Sequence, residues 1–126
     1  MTSADNIELV TGFYTEAFND ARPEVAAARA LGDTYIQHNP GAPDGAGAFI
    51  GYATYMRSRF PELQLEIQRT VADGDMVVTH SRFRRTPDDL GLAVADFWRI
   101  ADGRIVEHWD VIQEVPSESK NPNTMF

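Results

Sequence analysis

The stretch "ADFWRIADGRIVEHWDVIQ", Ala95 to Gln113, sets two runs rich in β-branched and aromatic residues on either side of Ala101, Asp102 and Gly103. Such runs around a turn tripeptide read as a β-hairpin. The second run carries Glu107, His108 and Asp110 among Val106, Trp109 and Val111, more charge than a strand built only for stability has use for. With Gly103 as the left-handed residue of a three-residue loop, Ile100 pairs with Arg104, Asp96 with His108, and Val94 with Asp110. That register puts Asp96, Trp98, His108 and Asp110 on one face, and Arg99, Glu107, Trp109 and Val111 on the other. A two-residue Asp102-Gly103 turn would separate the two aspartates, because a one-residue slip inverts the alternation.

Two further runs, "LQLEIQRTVA" and "MVVTHSRFRR", precede this hairpin and are punctuated by "DGD" and "TPDDLG". The first half of the chain has helical punctuation instead. Asp5 is placed to cap a helix whose Ile7, Val10, Tyr14, Ala17 and Phe18 share one face. Pro23 opens a second helix, "PEVAAARAL", and Gly32 stops it. A third runs through "GAFIGYATYMRSRF", with Phe49, Tyr52, Ala53, Met56 and Phe60 on one stripe, and ends at Pro61. Helices followed by consecutive strands predict an α+β domain with helices on one face of an antiparallel sheet. A single domain over residues 1–115 is expected, with "PSESKNPNTMF", 116–126, as a polar arm whose Met125 and Phe126 dock on something apolar.

Composition narrows the function. The 126 residues carry a formal charge of −8, which opposes a broad electrostatic surface for nucleic acid or anionic lipid. No apolar run approaches the roughly 20 residues that cross a bilayer, and "MTSADNIELV" has no secretion-signal pattern. A cytoplasmic protein acting on a small neutral or apolar molecule is expected. The absence of cysteine removes thiolate chemistry and disulfides. No Ser sits in a G-x-S-x-G setting, and no phosphate-binding or dinucleotide fingerprint occurs. General acid–base chemistry without a cofactor is what remains.

The acids of the hairpin suit that chemistry. A carboxylate among aromatic neighbours has its charged form desolvated, and two close carboxylates push their titrations apart. Arg99 and Glu107, on the opposite face, need no more than an ion pair to explain them. The three histidines, His38, His80 and His108, all sit in or beside predicted strands and could line one pocket. They could also ligate a divalent ion, but no close pair such as His-x-His occurs, and no metal is expected. "YIQHNPGAPDGAGAF" forms a rim, with Tyr35 and His38 pointing inside, Asn39 beside them, and Asp44 capping or tightening the approach to the third helix.

Taken together, "YIQHNP…DG", "GD…VVTHSRF", "ADFWRIADGRIVEHWDVIQ" and "NPNTMF" resemble the SnoaL-like polyketide cyclases of the nuclear transport factor 2-like superfamily, in the branch assigned to aldol condensation. The resemblance spans nearly the whole chain. It implies a cone-shaped α+β barrel, with helices closing a curved sheet around an apolar cavity, and a homodimer formed through the outer sheet face. It implies Asp110 as the acid/base of the last strand, with no metal or cofactor. Asp96 stands where those cyclases have a histidine. The catalytic set expected is therefore Asp110, Asp96, His108 and His80. Tyr35, His38, Asn39, Trp98, Tyr14 and Phe49 are expected to bind substrate. A binding protein for an apolar ligand uses the same cavity, and a hydrolase with two acids and an inward arginine, for which Arg82 is the candidate, uses the same cone.

Overall fold

In the computed structural model the described residues, 2–126, form three helices and five strands. They run α1 (Ser3–Phe18), α2 (Pro23–Ala30), β1 (Leu31–Gln37), α3 (Ala46–Arg59), β2 (Gln64–Asp73), β3 (Met76–Arg84), β4 (Leu92–Ala101) and β5 (Arg104–Glu114). The cap of α1 is Thr2 rather than Asp5. Thr2 Oγ1 accepts from the Asp5 amide at 3.1 Å, and Asp5 Oδ2 accepts from the Thr2 amide at 2.8 Å, a reciprocal box that satisfies two end donors. Pro23 does open α2. Gly32 does not end it: Leu31 is already extended, so the helix passes straight into β1. Gly32 lies within that strand, at a position where a Cβ would stand 3.0 Å from Val106 Cγ1. Nor does Asp44 cap α3. It accepts the Gln37 amide at 2.7 Å, and Gly45, at φ +98°, leads the chain into the helix.

The strands form one sheet in the order β1-β5-β4-β3-β2. Four strands are antiparallel neighbours, but β1 pairs with β5 in parallel, so the sheet is mixed. No hairpin joins β1 to β5. Most of the chain lies between them, and only a hairpin would have imposed the antiparallel direction.

The decisive hairpin also differs in register from the sequence expectation. Asp102 and Gly103 both have positive φ, 51° and 73°, giving a two-residue turn that pairs Ala101 with Arg104. Ile100 then pairs with Ile105 but Arg99 with Glu107, leaving Val106 as an extra residue in β5. Beyond that bulge Trp98 faces His108 and Asp96 faces Asp110. The turn alone would have put the aspartates on opposite faces. The bulge shifts β5 by one residue and returns them to the same one. Arg99 and Glu107 are direct partners on the outer face, joined at 2.8 Å.

The inner face of the sheet packs on α1. Trp98 is 1% exposed, with its ring centroid 5.0 Å from Tyr14 and 5.9 Å from Phe13. Val77, Ile105, Val10 and Phe18 extend this core. Burying each such side chain contributes about 1.5–3 kcal/mol. After Glu114, residues 115–126 form neither helix nor strand. The Phe126 ring lies 5.9 Å from that of His80, with the Arg82 guanidinium 4.9 Å from its centroid, so the arm's landing is cationic and aromatic rather than aliphatic. Among the described residues no helix is long and apolar enough to cross a membrane.

Candidate active site

Between α1, α3 and the inner sheet face lies a cavity of about 210 Å³, mostly apolar, whose aromatic wall includes Tyr14, Phe18, Phe49 and Trp98. Three polar side chains from the hairpin, Asp96, His108 and Asp110, enter it from β4 and β5.

Asp96 is the deepest, at 1% exposure. Its Oδ2 accepts from the Tyr14 hydroxyl at 2.8 Å and, more weakly, from Thr79 Oγ1 at 3.4 Å. Thr79 in turn accepts the Trp98 indole N–H at 3.1 Å, so its own hydrogen is free for Asp96. The other oxygen, Oδ1, lies 2.8 Å from His108 Nε2. Burial raises the Asp96 carboxyl above its ordinary value, and the hydrogen bonds from His108 and Tyr14 oppose that rise without cancelling it. Burial and the Asp96 charge push the Tyr14 hydroxyl well above its usual range, so it remains a donor. Burial does the same to Tyr35.

Asp110 is placed differently. Its side chain is 11% exposed and faces the cavity, with Oδ2 3.9 Å from His108 Nε2. Asn39 Nδ2 donates to both of its oxygens, at 2.9 and 3.1 Å. Two carboxylates thus share one pocket floor, one sunk among donors and one open to a ligand.

The rim segment follows the alternation of an extended strand. Tyr35, Gln37 and Asn39 turn into the cavity, while His38 turns out. His38 is 42% exposed, stacks on Trp109 at 4.6 Å and pairs with Glu107 at 2.7 Å. The expectation that Tyr35 and His38 both point inside could not hold for residues three apart in a strand. His80 is likewise displaced. Its cross-strand neighbour is Ala95, not Asp96, and it lies against Arg69 and Phe126 on the outer face. Arg82 shares that side and donates to the Leu90 carbonyl, which leaves the two-acid hydrolase without its inward arginine. The remaining site residues expected from sequence, Tyr14, Tyr35, Asn39, Phe49, Trp98, Asp96, His108 and Asp110, all line the cavity.

Sequence reasoning missed Gln37, Thr79 and Tyr52. In β3 the buried positions are Val77, Thr79, Ser81 and Phe83, alternating with Met76, Val78, His80 and Arg82. Phe83, opposite the charged Arg82 and Arg84, was the available signal for that parity.

Asp96, His108 and Asp110 bring ligand-type atoms within 4.8 Å of one another. In this arrangement His108 Nε2 and Asp96 Oδ1 meet each other and the Tyr14 hydroxyl donates to Oδ2.

The sequence profile of the SnoaL-like domain matches residues 10–108. No curated protein matches the chain. Among solved structures, TsrD from Streptomyces laurentii superposes with a TM-score of 0.73 at 22% identity, over 89% of this chain and 90% of that one. A candidate polyketide cyclase from Acidithiobacillus ferrooxidans gives 0.75 at 22% identity, with coverage of 89% and 90%. A candidate SnoaL-like polyketide cyclase from Jannaschia gives 0.71 at 18% identity, with coverage of 87% and 86%. At these identities the likeness is one of fold, and that fold is the nuclear transport factor 2-like one.

Proposed function

This chain belongs to the SnoaL-like domain family, and from that premise we propose that its cavity carries out cofactor-independent acid–base chemistry on a small carbonyl compound, of the aldol or cyclase type. The observation that carries the reading is the pair of unlike carboxylates. Asp96 is buried and held by Tyr14 and His108, whereas Asp110 faces the space a ligand would fill. Unlike environments for two acids are how one site divides the roles of base and proton donor. The descriptions of two structural neighbours as candidate polyketide cyclases agree with this chemistry.

In the proposed reaction Asp110 takes a proton from the carbon next to the substrate carbonyl. The electron pair left behind delocalises onto the carbonyl oxygen, which needs a hydrogen-bond donor. With His38 and His80 outside the cavity, the Tyr35 hydroxyl, which lines it, is the group placed to donate. One well-placed donor is worth about 3 kcal/mol in such a role. The enolate carbon then attacks a second carbonyl, and the proton on Asp110 passes to the alkoxide oxygen so formed, which restores the base. The apolar wall excludes water and strengthens each of these interactions.

The test is deuterium uptake. Incubating the protein in heavy water with aryl alkyl ketones, and with diketones able to close on themselves, should place deuterium at the α-carbon faster than buffer alone. Tight binding with no uptake across the panel would contradict the proposal. It would favour a holder of small hydrophobic ligands, which the apolar lining of the cavity also suits.

A further inference from the structure

One segment, Gln37–Asn39, holds both reactive groups of β5, and it does so from the neighbouring strand. Gln37 is the register partner of His108 in the parallel β1–β5 pair, and the His38 amide donates to the His108 carbonyl at 2.9 Å. Asn39 holds Asp110 by its amide nitrogen, and Gln37 Oε1 lies 2.7 Å from His108 Nδ1.

The orientation of the Gln37 side chain is not free. The same Oε1 lies 3.1 Å from the Asn39 backbone N–H, a group that can only donate. The atom facing both partners must therefore be the carbonyl oxygen, because the amide nitrogen would confront Asn39 donor to donor. An acceptor at Nδ1 in turn requires hydrogen on Nδ1. On the far side of the ring, Nε2 meets Asp96 Oδ1 at 2.8 Å. Two bare lone pairs would repel at that separation and two hydrogens would collide, so a single hydrogen lies between them. Because Tyr14 and Thr79 both donate to Oδ2, a proton held by Asp96 belongs on Oδ1, facing the imidazole.

We propose that Gln37 is a positioning residue that fixes hydrogen on Nδ1 of His108, so that His108 Nε2 and Asp96 Oδ1 share one proton. Whether Asp96 is written as an acid beside a neutral ring, or as a carboxylate beside an imidazolium, the count is the same. The pair is neutral as a unit, and the remaining negative charge of the floor sits on Asp110. Without Gln37 the ring could carry its hydrogen on Nε2 alone, with Nδ1 bare, and the pair would be a carboxylate beside a neutral donor. The floor would then carry two negative charges instead of one. The use of this arrangement in turnover rests on the reading under Proposed function; the tautomer does not.

The experiment is ¹H–¹⁵N NMR of the imidazole rings in the full chain, labelled with ¹⁵N and with no compound added. The His38→Gln and His80→Gln variants, both altered outside the cavity, assign the His108 signals by elimination. At neutral pH the wild type and Gln37→Glu, which keeps an acceptor oxygen, should show a slowly exchanging hydrogen bonded to His108 Nδ1. Gln37→Leu should lose it. A bare Nδ1 in the wild type overturns the proposal, as does a Gln37→Leu spectrum in which Nδ1 keeps its hydrogen. Should Gln37→Leu fail to fold, the wild-type and Gln37→Glu spectra decide on their own. The measurement involves no substrate, so it stands or falls separately from the proposed reaction.

Discussion

Asp96 and Asp110 are directly opposed across β4 and β5, and the extra residue Val106 is what aligns them. Cross-strand partners share a face, so one bulge near the turn determines that both acids enter the same cavity.

The burial of Asp96 makes stability depend on pH in a direction that can be derived. Burial raises the Asp96 carboxyl above its ordinary value of 3.8, so the native protein binds that proton more tightly than the unfolded chain. The resulting contribution is fully present below the ordinary value, falls as pH rises through the raised one, and is level beyond it. Asp96→Asn has no such proton. Subtracting its denaturation free energy from that of the wild type across pH 3 to 7 should reveal this decline, and a flat difference would contradict it. Asp89 acts in the opposite sense, because Arg85 holds it well below the usual range, but that contribution is common to both proteins and cancels.

Gly32 offers a test of how β1 is seated. An added Cβ would come within 3.0 Å of Val106 Cγ1 and 3.2 Å of the Thr34 carbonyl. Gly32→Ala should therefore destabilise by about 1–3 kcal/mol, the usual range for overpacking. Adding Val106→Ala should recover part of that loss. Equal penalties in the single and double variants would show that the crowding lies elsewhere.

Trp98 joins the core to the site. Its ring packs on Phe13 and Tyr14 and lies 4.4 Å from His108, while its N–H anchors Thr79. Trp98→Ala should cost about 3–5 kcal/mol in chemical denaturation, in line with large core truncations. A loss under 1 kcal/mol would mean that the indole is not the centre of the packing.

The fold class was legible because its signals are local. Pro23, Pro61 and the change from helical to alternating periodicity locate the helices and strands without any tertiary knowledge. The inward face of the hairpin came out right through a different turn: the expected three-residue loop and the actual two-residue turn with its bulge give the same parity, with the pairing displaced by two residues. A bulge adds a residue without leaving a mark in composition, and Val106 looks like any other strand valine. The parallel β1–β5 pairing was hidden because it joins segments far apart in sequence. His38 and His80 went astray for a different reason. Histidines suggest chemistry wherever they occur, whereas strand parity, read from Tyr35 and from Phe83, sends both to the outside. The same parity would have selected Gln37 and Thr79.

The central claim is that Asp110 acts as a base in this cavity. Its most direct measurement compares the rate of α-deuterium uptake by a ketone probe in the wild type and in Asp110→Asn, with folding of both verified by circular dichroism. Loss of the base should slow uptake by about 100-fold or more, within the usual range for general-base catalysis. Equal rates in two folded proteins would contradict the account.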